Sequence, residues 1–472
     1  MKNSLLAAMG LLLVLGTSAA WCQDESAAEL RQPMTVERLS LDRDMYLAPQ
    51  EPETAGRSPS DRLETVGEQP SGQQGPDAPC TYCCPGCCDP QGAAKPPWTL
   101  PQPCILRNLG IKMGGWLQQG VTVNGLGREQ GFNGPVGTND FNGEYQMNQL
   151  WLFFDKPIPE DNVGWALGGR VDMIYGTDWR FGINHGLEDR INAFDRQSYG
   201  LVIPQMYMEL AYDDLSVKLG HMDDLLGYEN VPAVLNPLYS HAYAMAFGEP
   251  LLVTGVIATY KVTEHFSLWG GFTRGWMQWE DYNGALDYMF GFKWKSPCKG
   301  TEIDWGLCQG PQDPLGQQDR IVSVFVLKQK LGEKWQYIFQ QDYGVQRNSF
   351  VGATPVGDGA WFGINQYFMY TINPKWKAIC RVEWFRDDEG VRVFGPPPAA
   401  GIRAWPEGPG FAGNFSELTC GLNYRPHPNV LFRPEVRWDW YHGSANVDGQ
   451  LPFGSGDSTH QFLFGVDMIV TY

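Results

Sequence analysis

The final stretch of the chain, residues 461–472, alternates regularly between apolar and mixed positions. Successive side chains of a β-strand point to opposite faces, so this alternation predicts a strand with one wholly apolar face. That face would carry Phe462, Phe464, Val466, Met468, Val470 and Tyr472. Such a strand can end either a soluble β-sandwich or a membrane β-barrel, and the rest of the chain must distinguish the two.

Other stretches with the same alternation occur throughout the body of the chain. Residues 163–175, 376–385 and 430–441 each place charged residues on one face and mostly apolar residues on the other. Strands of this length exceed the roughly 5–6 residues usual in soluble proteins and match the roughly 9–11 that cross a bilayer at a tilt. Aromatic residues gather near the ends of the apolar faces, as in the girdles of membrane barrels. These stretches therefore predict membrane-spanning strands.

The connections between the predicted strands alternate in length. Short turns are expected at residues 157–162, 213–214, 263–265, 331–334, 373–375 and 425–429. Long loops rich in Gly and Pro are expected at residues 125–143, 176–200, 222–250, 348–359, 387–413 and 442–458. Short periplasmic turns that alternate with long outer loops are typical of outer-membrane barrels, whereas a soluble sandwich has no reason to keep this order.

The alternation of turns and loops requires one strand that is not obvious by itself. Residues 287–294 and 321–327 would both run toward the periplasm, so an ascending strand must lie between them. Residues 301–308 alternate suitably and are the candidate. The sequence thus predicts an all-β fold, a transmembrane antiparallel β-barrel of about 16 strands with both chain ends inside. Tyr472 would serve as its assembly signal.

The N-terminal part of the chain has a different character. Residues 1–20 contain one basic residue, a Leu-rich core and small residues at the end, which predicts a secretory signal peptide. Residues 21–104 are polar and Pro-rich, and they predict a disordered linker. The barrel would occupy residues 105–472, and the expected location is the outer membrane.

The predicted linker contains two overlapping C-x-x-C pairs, formed by Cys80, Cys83, Cys84, Cys87 and Cys88. This spacing fits a zinc site, but the flanking residues do not predict the hairpin and helix of a zinc module. An exported protein meets an oxidising compartment, which favours disulfides within the chain or to other envelope proteins. Disulfide and metal both stay open at this point.

The net charge and the absence of catalytic motifs argue against several classes of function. The net charge is −18 at pH 7, which argues against nucleic acid as a partner, because nucleic-acid binding needs a basic surface. The chain contains no Gly-x-Ser-x-Gly, P-loop or His-Glu-x-x-His motif, and its 7 histidines are scattered. We therefore expect neither an enzyme nor an obligatory cofactor.

Two stretches together carry a resemblance to a known family. One is residues 164–178, and the other contains Gly220-His221, Gly227-Tyr228-Glu229, Asn236-Pro237 and Ser240. They resemble the putative β-barrel porin family, OmpL-like, of planctomycete-type genomes. In that family the residue after the strand-end Gly is usually Lys or Arg, so His221 is a departure. The resemblance implies an outer-membrane porin with passive passage of small hydrophilic solutes or ions.

Similar porins fold their third loop into the lumen, which makes residues 222–250 the expected narrowing element. This loop is unusually apolar, and its acidic residues would face basic residues on the wall and create a transverse field. The candidate lining residues are Arg170, Asp172, Lys218, His221, Asp223, Asp224, Glu229, Arg381, Glu383, Arg433, Glu435 and Arg437. The alternative is that these charges have no role in passage and are merely solvated or paired on the wall.

The expected partners are outer-membrane lipid, the barrel-assembly machinery, small solutes or ions, a homotrimer, and envelope proteins linked through the Cys cluster. Two other functions stay open. One is a structural envelope barrel cross-linked through its cysteines, and the other is a soluble secreted carbohydrate-binding β protein.

Overall fold

The computed structural model describes residues 97–126, 132–159, 162–192, 198–351, 354–394 and 410–472. The predicted signal peptide and the five clustered cysteines, Cys80, Cys83, Cys84, Cys87 and Cys88, lie outside these ranges. No helix within the described ranges has both the length and the hydrophobicity needed to cross a membrane.

Sixteen β-strands dominate the fold. They are β1 (Lys112–Asn124), β2 (Tyr145–Lys156), β3 (Trp165–Gly176), β4 (Gly200–Tyr212), β5 (Leu215–Asp223), β6 (Leu252–Thr263), β7 (Phe266–Trp276), β8 (Asp287–Lys295), β9 (Thr301–Pro311), β10 (Asp319–Leu331), β11 (Trp335–Val351), β12 (Thr354–Asn373), β13 (Trp376–Asp387), β14 (Gly413–His427), β15 (Val430–Gly443) and β16 (His460–Thr471). The short helices are α1 (Cys104–Asn108), α2 (Trp179–Gly182) and α3 (Glu188–Ile191), with single 3₁₀ turns at Gly137–Asn139 and Ala233–Leu235 and a π-helical turn at Ala244–Gly248.

Each strand pairs antiparallel with the next, and β16 pairs with β1 to close the barrel. In that closing pair Val466 lies opposite Val121. Closure matters in a bilayer because every backbone N–H and C=O of the strands must find a partner within the protein. The predicted barrel of about 16 strands is confirmed, and so is the strand at residues 301–308, which forms β9.

The outward face of the barrel is apolar and solvent-accessible. Large exposed hydrophobic side chains on this face include Trp165, Leu167, Leu210, Phe272, Phe290, Trp438 and Phe464. A water-soluble protein does not leave so wide an apolar surface exposed, whereas lipid covers it at no cost. The closed barrel and its apolar exterior exclude the soluble sandwich.

Short turns lie at one end of the barrel and most of the longer loops at the other. We call these the turn end and the loop end. The β4–β5 turn is only Asp213 and Asp214, and Asp213 adopts a positive φ of 47°, as a two-residue hairpin turn requires.

The prediction of a loop at residues 348–359 is wrong. β11 continues to Val351 and β12 begins at Thr354, so most of this stretch is strand. Its Gly and Pro content suggested a loop. The residues instead form bulges, with register shifts after Gln346 and Ser349 and a positive φ of 51° at Asn348.

The chain contacts the barrel earlier than the expected boundary at residue 105. Trp98 donates its backbone N–H to Asn429 Oδ1 (2.6 Å), and its ring stacks on His427 at 4.3 Å. Gln102 exchanges two 2.8 Å hydrogen bonds with the backbone of Met113. The barrel-associated chain therefore includes residues 97–104, which the sequence analysis placed in the linker.

Candidate functional site

The β5–β6 connection, residues 224–251, folds into the barrel, and we call it the inner loop. Five of its large apolar side chains, Leu226, Leu238, Tyr239, Tyr243 and Phe247, are buried. Burying one such side chain contributes roughly 1.5–3 kcal/mol relative to leaving it exposed. The apolar character of this loop therefore determines its position, because the lumen offers the nearest surface against which it can pack.

Local interactions shape the inner loop before it meets the wall. Asn230 and Asn236 exchange side-chain to backbone hydrogen bonds of 2.8 and 2.5 Å, which close the segment between them. Gly227 has a φ of +77°, and a Cβ at this position would collide with the Glu249 carboxylate. Glycine is needed here both for the backbone conformation and for the close approach.

Glu229 is the central charged residue of the inner loop. Its carboxylate accepts from Arg381 Nη1 (2.7 Å), Tyr367 Oη (2.6 Å) and the Ala242 N–H (3.1 Å), and it contacts His241 Nδ1 at 2.9 Å. Burial alone would raise the pKa of Glu229. The Arg381 guanidinium and His241 outweigh burial and hold this pKa well below its usual range.

Two wall carboxylates bind backbone N–H groups of the inner loop. Glu435 on β15 accepts from the Tyr239 and Ser240 N–H groups at 2.9 and 3.0 Å. Glu383 on β13 accepts from the Tyr243 and Ala244 N–H groups, both at 2.7 Å. Each carboxylate thus uses both oxygens to hold two consecutive backbone donors, which would otherwise be buried without acceptors.

Three wall arginines bind the carbonyl groups of the same loop. Arg433 Nη1 donates to Asn236 O (2.7 Å), Arg437 Nη1 to His241 O (2.6 Å) and Arg381 Nη1 to Ser240 O (2.7 Å). Each also pairs with an acidic residue on the wall, namely Asp467, Asp439 and Glu417 respectively. Pairing and hydrogen bonding together make their complete burial tolerable.

These contacts locate six of the twelve candidate lining residues. Glu229, Arg381, Glu383, Arg433, Glu435 and Arg437 all lie at the interface between the inner loop and the wall formed by β13 to β15, and all are buried. The sequence predicted that the loop acids would face the wall bases across a gap. On this side of the barrel Glu229 contacts Arg381 directly at 2.7 Å. We call the wall formed by β12 to β16 the anchoring wall.

Three further acids, Asp223, Asp224 and Glu249, lie where the inner loop leaves β5 and returns to β6, and we call this place the neck of the loop. Asp224 lies at its start and Glu249 near its end, and the Asp224 N–H donates to Leu251 O (3.2 Å) across the neck. Burial and the neighbouring Asp223 raise the pKa of Asp224 well above its usual range. Burial, Asp342 and Asp224 do the same to the pKa of Glu249. Asp223 lies near the opposite charges of Arg170 and Lys218.

The opposite side of the lumen keeps contact with solvent. Arg170 on β3 is 13% exposed and pairs with the buried Asp172 at 2.7 Å. Lys218 on β5 is partly exposed and lies 4.6 Å above the ring of Tyr207. We call the wall formed by β3 to β5 and β8 to β10 the open wall.

His221 lies apart from the solvent-accessible charges. It is fully buried, its ring stacks on Trp279 at 4.1 Å, and its Nδ1 lies 2.7 Å from Thr254 Oγ1. The residue after Gly220 is therefore packed under the loops at the loop end.

Four charged residues on the open wall were not among the candidates predicted from the sequence. Lys328 on β10 lies 3.9 Å from Glu302 and 3.6 Å from Asp304 on β9, and Lys295 on β8 lies 3.5 Å from Glu302. All four are 18–32% exposed. The signal was present, because the alternation over residues 301–308 already put Glu302 and Asp304 on one face.

Comparison with known proteins gives one match by sequence family. The family described as "Putative beta-barrel porin-2, OmpL-like" matches residues 110–472 of this chain. A search of curated proteins finds no match.

Solved structures with similar chains include several outer-membrane proteins. The outer membrane channel DcaP of Acinetobacter baumannii is 10% identical with a TM-score of 0.49, and the match covers 77% of this chain and 97% of that one. OprB of Pseudomonas putida is 11% identical with a TM-score of 0.49, covering 78% and 96%. OmpT of Vibrio cholerae is 10% identical with a TM-score of 0.47, covering 77% and 97%.

Proposed function

Because the chain belongs to the OmpL-like β-barrel porin family that matches residues 110–472, we propose that small hydrophilic solutes and ions diffuse passively through its lumen. The chain is an outer-membrane porin by family and by its closed barrel. The proposal concerns the route within the barrel and the residues that line it.

The observation that carries the proposal is the asymmetry of the lumen. The inner loop is bound to the anchoring wall through Glu229, Glu383 and Glu435, whose carboxylates are buried. On the open wall, Arg170 and Lys328 keep 13% and 19% of their side-chain surface exposed. The route for solute therefore runs along the open wall, with the inner loop as its other boundary.

The chemistry along this route follows from the charges that line it. Arg170, Lys218, Lys295 and Lys328 alternate with Glu302 and Asp304 along the strands of the open wall, and the buried Asp172 pairs with Arg170. Charges of both signs at close range orient water and favour small polar solutes, whereas a ring of one sign would select ions of the opposite sign. Passage needs neither a reaction nor a cofactor.

The test is conductance of the refolded mature chain in a planar bilayer, combined with swelling of liposomes in sugars of increasing size. Stable ohmic steps and a size cut-off are expected. The matched control is the same preparation kept unfolded, which heat-modifiable mobility on a gel identifies. A chain that folds and inserts without conductance would contradict the proposal.

That negative outcome would favour a structural envelope barrel. The observation that favours this alternative is the depth of inner-loop packing, since loop atoms contact residues of β2, β11, β12, β13 and β15. In that case the protein would act as a scaffold, held to other envelope proteins through Cys80, Cys83, Cys84, Cys87 and Cys88.

The two ends of the chain would serve export and assembly. Residues 1–20 would direct export, and residues 21–96 would follow as the linker. Tyr472 would be read by the barrel-assembly machinery, and in the folded barrel its backbone N–H and its hydroxyl donate to Gly115 O and Trp151 O, both at 3.0 Å. Outer-membrane lipid would cover the apolar exterior. A homotrimer is the proposed assembly, testable by cross-linking in detergent.

A further inference from the structure

Two arginines from distant parts of the chain converge on one tryptophan at the loop end of the barrel. Arg320 is at the start of β10, Trp276 ends β7, and Arg392 follows β13. The guanidinium carbons of Arg320 and Arg392 lie 4.4 and 5.0 Å from the centre of the Trp276 ring. Arg392 also lies 5.1 Å from the ring of Trp361.

Each guanidinium keeps unused donors. Arg320 donates from Nε (2.7 Å) and Nη2 (2.5 Å) to Gln346 Oε1. Arg392 donates from Nε to Phe247 O (2.6 Å). In the part of the chain that the structure describes, no hydrogen bond uses Arg320 Nη1 or either Nη atom of Arg392, and neither arginine forms an ion pair.

The nearby acids are engaged elsewhere. Asp387 accepts the backbone N–H groups of Val391, Arg392 and Val393 at 2.9, 2.7 and 2.8 Å. Asp287 accepts from Gln312 Nε2 at 2.5 Å. Both carboxylates moderate the local positive charge, but neither contacts a guanidinium. The Trp276 Nε1–H is also buried, beside the Cys308 sulfur.

Two guanidinium groups held together without a carboxylate are unfavourable unless an anion lies between or beside them. A buried charge is costly when it is unpaired, and like charges in a low-dielectric site repel. Guanidinium groups match the geometry of carboxylates and phosphates, to which they donate two parallel hydrogen bonds. Gln346 and Phe247 O orient the two guanidiniums, so the free donors are already positioned.

We propose that Arg320, Arg392 and Trp276 form a binding site for a small oxyanion, a solute bearing a carboxylate or phosphate group, at the loop end of the lumen. Arg320 is partly exposed, so solute reaches the site through its side chain first. The site would concentrate anionic solutes at the entrance of the channel. This role rests on the proposed porin function, whereas binding itself does not.

The test uses the full mature chain in a planar bilayer in potassium chloride, with inorganic phosphate as the probe. Phosphate is expected to reduce the single-channel current in a saturable way. Arg320→Gln and Arg392→Gln should each weaken the apparent affinity about tenfold or more, because each removes a charge-assisted contact. Arg392→Lys keeps the charge but loses the paired donors, and it should weaken binding less than Arg392→Gln.

Arg347→Gln is the matched control, because Arg347 is exposed on β11 beside Gln346 and should leave phosphate block unchanged. Equal block in the wild type and both Gln variants would overturn the proposal, and so would the absence of saturable block. If the wild type does not conduct at all, the porin function fails instead. Calorimetric titration of the detergent-folded chain with phosphate then tests the site directly, and loss of binding heat in both Gln variants is the supporting result.

Discussion

The anchoring wall and the open wall are built from the same alternating strands, but their charged residues lie in different environments. Arg381 on β13 is fully buried and pairs with Glu229 and Glu417. Lys328 on β10 is 19% exposed and pairs loosely with Glu302 and Asp304. A lumen-facing charge is therefore not by itself a pore-lining charge. Where the inner loop packs, the charge holds the loop, and where it does not, the charge meets water.

The largest effect is expected from Arg381→Met on the anchoring wall. The substitution removes the guanidinium that pairs with both Glu229 and Glu417, and breaking a buried pair from one side costs about 3–5 kcal/mol. Urea unfolding of the detergent-folded barrel measures this loss. The control is Arg190→Met, because its pair with Glu280 is more than half exposed and is worth about 0–1 kcal/mol. Similar losses in both variants would contradict the distinction between buried and exposed ion pairs.

A smaller loss is expected from Glu435→Ala. It removes the acceptor of the Tyr239 and Ser240 N–H groups, and a buried donor left unsatisfied costs about 1–3 kcal/mol. Glu435→Gln keeps one acceptor oxygen and should cost less. Urea unfolding gives the cost, and limited proteolysis reports whether the inner loop has become accessible. Identical behaviour of the Ala and Gln variants would show that Glu435 does not hold the loop backbone.

The neck of the inner loop should respond to pH. Burial, Asp342 and Asp224 raise the pKa of Glu249 well above its usual range, and Glu229 adds to the effect. A group with a raised folded pKa contributes stability that is complete below its unfolded pKa, about 4.3 for Glu. That stability is lost as the pH rises toward the folded pKa, because ionisation is then harder in the folded loop than in the unfolded chain.

We therefore expect the packed inner loop to become easier to open as the pH rises above about 4.3. The rate of proteolytic cleavage within residues 224–251 at several pH values measures this opening. Glu249→Gln should flatten the dependence, since an amide does not titrate. A wild-type cleavage rate that falls as the pH rises, after correction for the protease itself, would refute the sign of the effect.

The smallest effect on stability, but a clear effect on permeation, is expected from Lys328→Gln on the open wall. Partly exposed ion pairs contribute about 0–1 kcal/mol, so unfolding should change little. Removing a positive charge from the route should shift the zero-current potential in a salt gradient toward cation preference. Arg381→Gln is the comparison from the buried wall. If only Arg381→Gln altered the ion preference, the solute route would run along the anchoring wall and the proposed route along the open wall would be wrong.

Much of the fold was readable from the chain. Residues 461–472 and 430–441 alternate with period two, and a one-residue shift would turn every apolar side chain toward the lumen, so their orientation is strongly specified. The extra strand at residues 301–308 followed from the order of turns and loops. The extended hairpin at residues 348–359 was missed, because Gly and Pro suit bulges as well as loops.

The candidate site was less predictable. Glu229 and Arg381 are 152 positions apart, and nothing local in either stretch shows that they meet. The same holds for Arg320 and Arg392, which come together only because β7 and β13 end, and β10 begins, at the same rim. Charge type can be read from the sequence, but partners cannot, because they depend on which strands close the barrel and where the loop lies.

The sequence by itself determined the class of fold, the strand faces and the apolar character of the inner loop, because each depends on the local period of hydrophobicity. Only the tertiary structure decided which charges anchor the loop and which meet solvent. The physical reason is that burial is a property of the assembled lumen. Arg381 and Lys328 have the same sign of charge and both point inward. The inner loop packs over Arg381 and leaves Lys328 in contact with water.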